Sequence, residues 1–355
     1  MVMRALTSLL ALLLLVGCTR PEPGATYANP VLDADFPDPA VLLAPDGFYY
    51  AYATQTERDG RSINIQVARS RDLVRWEHRG DALPAKPAWA ARTQDFWAPH
   101  VQAADGRYYL YYSAKPDAAL TDNKRGLCLA VATATRPEGP FSDMGRPLEC
   151  GPGFENIDPF TLDDPETGAK LLYWGSGFSP IKVRALGPDR MSWARGSAAT
   201  DLVAVDKTDD PANYRRLVEG AWVVRRGGWW YLFFSGDNCC GPNAHYAVMV
   251  ARARNPTGPF EVRRDARGWA QPILERGGVW NAPGHNGFVR DARGQDWMLY
   301  HAVDSRNPRA KPGAEVNTRR IMLLDPIRYE NGWPVVEGPS VGPRRAPAVQ
   351  RGARR

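Results

Sequence analysis

Five times along the chain a turn glycine is followed at once by a strand crowded with aromatic and apolar residues: DGFYYAYAT, DGRYYLYYSA, TGAKLLYWGSG, GGWWYLFFSG and RGQDWMLYHA. The glycines are Gly47, Gly106, Gly168, Gly228 and Gly294, spaced by 59, 62, 60 and 66 residues. Each closes a hairpin whose first strand is a short apolar run: PAVLLA, PHVQAA, PFTLDD, AWVVRR or GFVRDA. Further strand-like runs with turns follow, as in INIQVARSRDLVRWEHRG, LCLAVATATRPEGPF and YAVMVARARNPTGPF. A unit of four short antiparallel strands cannot bury both its faces alone, and repeating it five times predicts an all-β, five-bladed β-propeller. A β-sandwich uses similar strands but has no reason to repeat at this period. The composition agrees: 12 Trp, 14 Tyr, 33 Gly and 31 Pro leave little room for long helices, and no capped segment of period 3.6 runs beyond a few turns.

The repeat assigns residues 29–340 to the propeller and leaves the ends to other tasks. Residues 1–17 carry an arginine and about a dozen apolar residues, too few to span a bilayer, and read as an export signal. Leu15-Val16-Gly17-Cys18 resembles the lipobox of bacterial lipoproteins, with Cys18 as the lipidated residue; a plain secretory signal is the alternative. Residues 18–28 then form a tether, and the basic segment 341–355 reads as a disordered tail. The expected location is the periplasm or the cell surface, with the lipid as the only link to a membrane. The net charge of +6 is spread over scattered arginines without a separate basic face, which argues against nucleic acid. The four other cysteines suit an oxidising compartment. Cys128 and Cys150 lie in successive strand-like runs and are placed to bridge them; the adjacent Cys239 and Cys240 form either a vicinal disulfide or two buried thiols.

In a propeller the first strand of each blade lines the central channel, so residues at its entrance converge on the axis. Nine positions before the turn glycines stand Asp38, Trp97, Glu219 and His285. The third hairpin is one residue longer, and Asp158 stands ten before Gly168. Asp38-Pro39 or Glu219-Gly220 alone is an ordinary turn, and Asp33 and Asp35, outside the register, are loop residues. Three carboxylates in register, each expensive to bury beside the others, have no such structural explanation.

Blade order then assigns roles. Asp158 and Glu219 come from neighbouring blades, and Asp38 faces them two blades away. A carboxyl next to another negative charge in a poorly solvated pocket has a raised pKa and serves as a general acid, which fits Glu219. Asp158 is expected to stay ionised and raise it, and Asp38 to be the ionised base that activates water. An acid and a base far enough apart to admit water define an inverting glycosidase.

The segments DFPDPAVL, FWAPHV, NIDPF, EGAWV and APGHNGF, together with DNCCG, resemble in order the motifs of glycoside hydrolase family 43. That resemblance implies a propeller acting on furanosidic or xylosidic linkages of plant polysaccharides, with Asp38 as base, Asp158 as pKa modulator and Glu219 as acid. Within the family, the Cys-Cys-Gly stretch and Gly284-His285-Asn286 are most similar to arabinan endo-1,5-α-L-arabinosidases. It implies no cofactor for the chemistry, and a calcium or other cation held near His285, mostly through waters. Ala244-His245 and His100 depart from the family pattern and leave the substrate open. Trp97, and less directly Trp174 and Ser176 of YWGSG, are candidates for holding sugar, because a furanose packs its C–H faces on rings. Two further readings stand beside the arabinan hydrolase: an exo-acting α-L-arabinofuranosidase or β-xylosidase, and a non-catalytic carbohydrate-binding lipoprotein.

Overall fold

The computed structural model describes residues 25–206, 208 and 210–349, so the export signal and Cys18 lie outside the described residues. Five antiparallel sheets follow one another along the chain, each built on four strands that pair in sequence; in the second, Glu149–Cys150 adds a fifth strand against Cys128–Ala134. Blade one is Ala40–Leu43, Tyr49–Ala53, Gln66–Ser70 and Glu77–Asp81; blade two is Phe96–Ala104, Arg107–Ala114, Cys128–Ala134 and Ser142–Asp143. Blade three is Phe160–Asp163, Lys170–Trp174, Ile181–Leu186 and Thr200–Val203; blade four is Val218–Arg226, Trp229–Gly236, Ala247–Ala253 and Glu261–Val262. Blade five is Trp280–Arg290, Asp296–Asp304, Ile321–Glu330 and Trp333–Val336. Among the described residues the helices are three 3₁₀ turns of three or four residues.

All five periodic glycines turn left-handed, with φ of 79, 74, 72, 77 and 79° in chain order, a conformation that glycine adopts without a Cβ clash. The second strands are apolar throughout because both of their faces are covered and successive side chains point to opposite sides. Tyr50 and Tyr52 pack with Phe96, Leu110 and Tyr112 of blade two, while Tyr49 and Ala51 join the cluster holding Met298 and Tyr300 of blade five. In blade two, Tyr109 and Tyr111 turn the other way and meet Leu172 and Trp174 of blade three. The propeller is thus held by alternating faces, blade against blade.

The outer strand of blade five pairs only with residues 327–330 of its neighbour, and the incoming chain covers the remainder of that edge. Met322 donates to the Leu32 carbonyl at 3.2 Å, Phe36 donates to the Arg320 carbonyl at 2.7 Å, and the Tyr27 hydroxyl donates to the Leu324 carbonyl at 2.6 Å. Such cover leaves no long open edge for a foreign strand. The expected tether and tail need correction here, because Thr26–Tyr27 pairs with Arg344–Arg345 and Ala348 donates its N–H to Asp291. Cys128 and Cys150 stand opposite each other in register and are joined, and Cys239 and Cys240 are paired as a vicinal disulfide.

Candidate active site

Each inner strand has a left-handed residue at its entrance: Asp38 (φ 57°), Ala98 (45°), Asp158 (58°), Gly220 (64°) and His285 (49°), with Ala282 (46°) as a second in blade five. In blades one and three the next residue is proline, which cannot join the ladder, so the strand begins just after it, at Ala40 and Phe160. In blades two, four and five the longer strand is bulged there instead. Asp38, Trp97, Asp158, Glu219 and His285 all line one funnel of about 400 Å³. Deeper along the inner strands His100, Phe160 and Trp222 fill the axis, with ring separations of 4.6 to 5.2 Å. His100 therefore belongs to a plug, and burial lowers its pKa to about 3.

Asp38 is the most tightly held of the acids. Its Oδ1 accepts from Arg320 Nη1 at 2.8 Å and its Oδ2 from the Thr54 hydroxyl at 2.6 Å. Burial alone would raise this carboxyl, but the Arg320 guanidinium, helped by His285 and His301, outweighs burial and holds it well below the usual carboxylate range. Of these partners only Arg320 is a standing charge near neutral pH. Burial lowers His285, and it brings His301 down to about 4. His301 Nδ1 lies 3.1 Å from the Asp38 N and 3.3 Å from its Oδ1.

The other two carboxyls move the opposite way. Burial, with the charge of Asp38, raises Glu219 to about 7 against the lowering effect of the Tyr246 hydroxyl, which donates to Oε1 at 2.7 Å. Burial and the charges of Glu219 and Asp38 also lift Asp158 well above its ordinary value, although its Oδ2 accepts the Gly220 N–H at 2.9 Å. Against the expectation of a permanently ionised Asp158, burial and the neighbouring charges therefore disfavour its carboxylate form.

His285 Nδ1 lies 3.5 Å from Asp38 Oδ1 and 3.7 Å from Asp158 Oδ2. A calcium ion needs six to eight oxygens. Here the nearest carboxylate oxygen is already tied to Arg320, and among the described residues no three His, Cys, Asp or Glu converge as ligands. Nothing in the lining supports the expected cation, and no step below uses one.

Aromatic rings line one wall. Trp97 stacks on Phe154 at 6.0 Å, and Phe178 projects at the rim with 72% of its surface exposed. Asp237, Asn238, Cys239 and Cys240 also line the funnel. Asp237 is clasped by Arg216 and by His245 Nδ1, each at 2.7 Å, which gives the unexpected His245 a structural task. Trp174 and Ser176 are removed from the sugar-binding set. Trp174 is 1% exposed, donates to Asn156 and packs on Trp193; Ser176 is buried in a turn, its N–H donated to the Val218 carbonyl. Arg320, Thr54, Tyr246, Phe154 and Phe178 were not found by the count back from the turn glycines. Thr54 alone carried a periodic signal, seven residues past Gly47.

The model of glycosyl hydrolases family 43 matches residues 27–334. The extracellular exo-α-(1→5)-L-arabinofuranosidase ArbA of Cellvibrio japonicus is 26% identical, over 88% of this chain and 89% of its own. A probable arabinan endo-1,5-α-L-arabinosidase A of Aspergillus flavus is 29% identical, over 87% of this chain and 94% of its own. A solved thermostable family-43 glycoside hydrolase superimposes with a TM-score of 0.70 at 25% identity, covering 91% of this chain and all of that one. With its five blades and its acidic funnel, the chain belongs to glycosyl hydrolases family 43 and is a glycosidase.

Proposed function

We propose that this glycosidase cleaves α-1,5-linked L-arabinofuranosyl chains, as arabinan or arabino-oligosaccharides, with inversion at the anomeric carbon. The observation that carries the reading is the division of charge within one funnel. Asp38 is kept ionised by Arg320, while Glu219 is raised to about 7. Asp38 takes a proton from water as the water oxygen bonds to the anomeric carbon from one face. The glycosidic bond breaks on the other, and the Glu219 proton passes to the departing sugar oxygen. Asp158 takes up the negative charge of the pair whenever Glu219 holds the proton, steadied by the Gly220 N–H. The relatives described above are named for α-1,5-arabinan linkages, which supports the substrate class.

Incubation with linear arabinan and with nitrophenyl arabinofuranoside and xyloside tests the reading. Cleavage of arabinan, with the β-anomer as first product by NMR, is the expected result; activity on the xyloside alone refutes it. The exo-acting alternative draws on the Cellvibrio relative, and product length separates the two, since internal cuts lower viscosity before short sugars accumulate. We further place the protein among exported lipoproteins anchored through Cys18. Cys18→Ser should then move it from membranes to the soluble fraction, and unchanged partitioning excludes the anchor.

A further inference from the structure

The five left-handed residues at the funnel mouth have a second feature in common, outside the first-strand register. Their bend takes each N–H off the sheet ladder, and each is donated to a side chain. Ala98 donates to Thr54 Oγ1 at 2.8 Å, Asp158 to Ser113 Oγ at 3.1 Å and His285 to Ser235 Oγ at 2.8 Å. Asp38 donates to His301 Nδ1 at 3.1 Å, and Gly220 to Asp158 Oδ2 at 2.9 Å. Thr54, Ser113, Ser235 and His301 each stand seven residues after a turn glycine, and each serves the blade that follows its own. The last link, from blade five back to blade one, closes the circle where the chain's two ends meet.

Blade three breaks the pattern. Its seventh residue is Gly175, which has no side chain, and the acceptor for Gly220 is instead the carboxylate of Asp158. We infer that these residues form a closed ring of acceptors that sets the funnel mouth, and that Ser113 and Ser235 are positioning residues for the hydrolysis proposed above. Ser113 is fully buried and holds the Asp158 backbone; Asp158 in turn holds Gly220, the residue next to Glu219. Ser235, also fully buried, holds His285, whose ring faces both Asp38 and Asp158. A buried N–H that loses its acceptor does not keep its place, and small displacements of reacting groups are costly in rate.

The inference rests on that functional reading, and its test separates the two. In the full-length protein, Ser113→Ala should lower kcat on linear arabino-oligosaccharides about 10- to 100-fold while KM changes little, and should move the alkaline limb of the pH–rate profile. Ser113→Thr, which keeps the hydroxyl, should restore most of the rate. Hydrogen exchange read by mass spectrometry should quicken in the peptide containing Asp158 and stay unchanged in that containing Ala98. Should Ser113→Ala not fold, Ser235→Ala gives the same reading at His285. Wild-type kcat with an unmoved limb, no rescue by threonine, or unchanged exchange at Asp158 overturns the ring. A wild-type protein inert on arabinan refutes the substrate assignment alone, and the exchange comparison still decides the ring.

Discussion

Replacing Tyr246 with phenylalanine isolates one hydrogen bond at the proposed acid. The hydroxyl donates to Glu219 Oε1 at 2.7 Å, and burial keeps its own pKa well above 10, so it remains a donor across the working range. The ring itself stays in place without the hydroxyl. It is fully buried, stacks parallel to His301 at 5.7 Å, and is pressed by blade five so closely that a Cβ on Gly284 would lie 2.1 Å from it. A hydrogen bond to a charged acceptor contributes about 1.5–3 kcal/mol, and each pH unit of pKa corresponds to about 1.4 kcal/mol. Tyr246 favours the carboxylate, so its loss should raise Glu219 by about one to two pH units above its present value near 7. An acid works while protonated; the alkaline limb of kcat/KM on an arabino-oligosaccharide should therefore move upward by the same amount. The acidic limb, set by Asp38, should stay. An alkaline limb that stays put or moves down refutes either the role of Glu219 as acid or the place of Tyr246 beside it.

Three other variants probe the same balance of charge and covalent restraint. Glu219 has a folded pKa of about 7 against an ordinary 4.5, so the stability it permits is complete below pH 4.5 and lost as pH rises through 7. Glu219→Gln should thus raise the melting temperature at pH 8, by the equivalent of about 3 kcal/mol, and much less at pH 5; equal effects at both would contradict the raised pKa. Arg320→Met strands a buried Asp38 carboxylate, at a cost of about 3–5 kcal/mol in denaturant unfolding. Asp38, now depressed, should titrate higher in that variant and carry the acidic limb of the pH–rate profile upward; an unmoved limb means that Asp38 is not the base. Cys128→Ser with Cys150→Ser opens a link across a sequence separation of 22 and should lower unfolding stability by about 3 kcal/mol; an unchanged midpoint means the bridge constrains nothing.

The architecture was legible because its cause is periodic. A blade must close its first hairpin tightly, so a left-handed glycine recurs, and it must pack on both faces, so the strand after the glycine is apolar without alternation. Even the extra residue of the third hairpin is visible, where Asp164 pairs with Ala169 around a longer turn. The same rule explains the failure at Trp174. It lies in a second strand, whose side chains face the neighbouring blades, whereas the first strands line the axis. The chain ends escaped for the opposite reason. Tyr27 and Arg344 pair across more than 300 residues through two-residue strands with no pattern to announce them.

The convergence of the three carboxyls on one funnel was legible; the groups that set their charges were not. Position along the chain places Asp158 beside Glu219; it does not reveal Arg320 or Tyr246, each of which enters from the residue just before a third strand. Those two groups decide the charges. With Arg320 committed to Asp38, no guanidinium among the described residues hydrogen-bonds to the pair opposite, and both its carboxyls rise together. Hydrogen bonds then divide the labour between them. A backbone N–H held at Asp158 Oδ2 favours the charge there, and the Tyr246 hydroxyl occupies Glu219 Oε1, so the proton to be delivered belongs on Oε2. In the mechanism proposed above, a glycosidic oxygen that accepts from Oε2 meets the proton of Glu219, and the negative charge of the pair rests on Asp158 beside the Gly220 N–H.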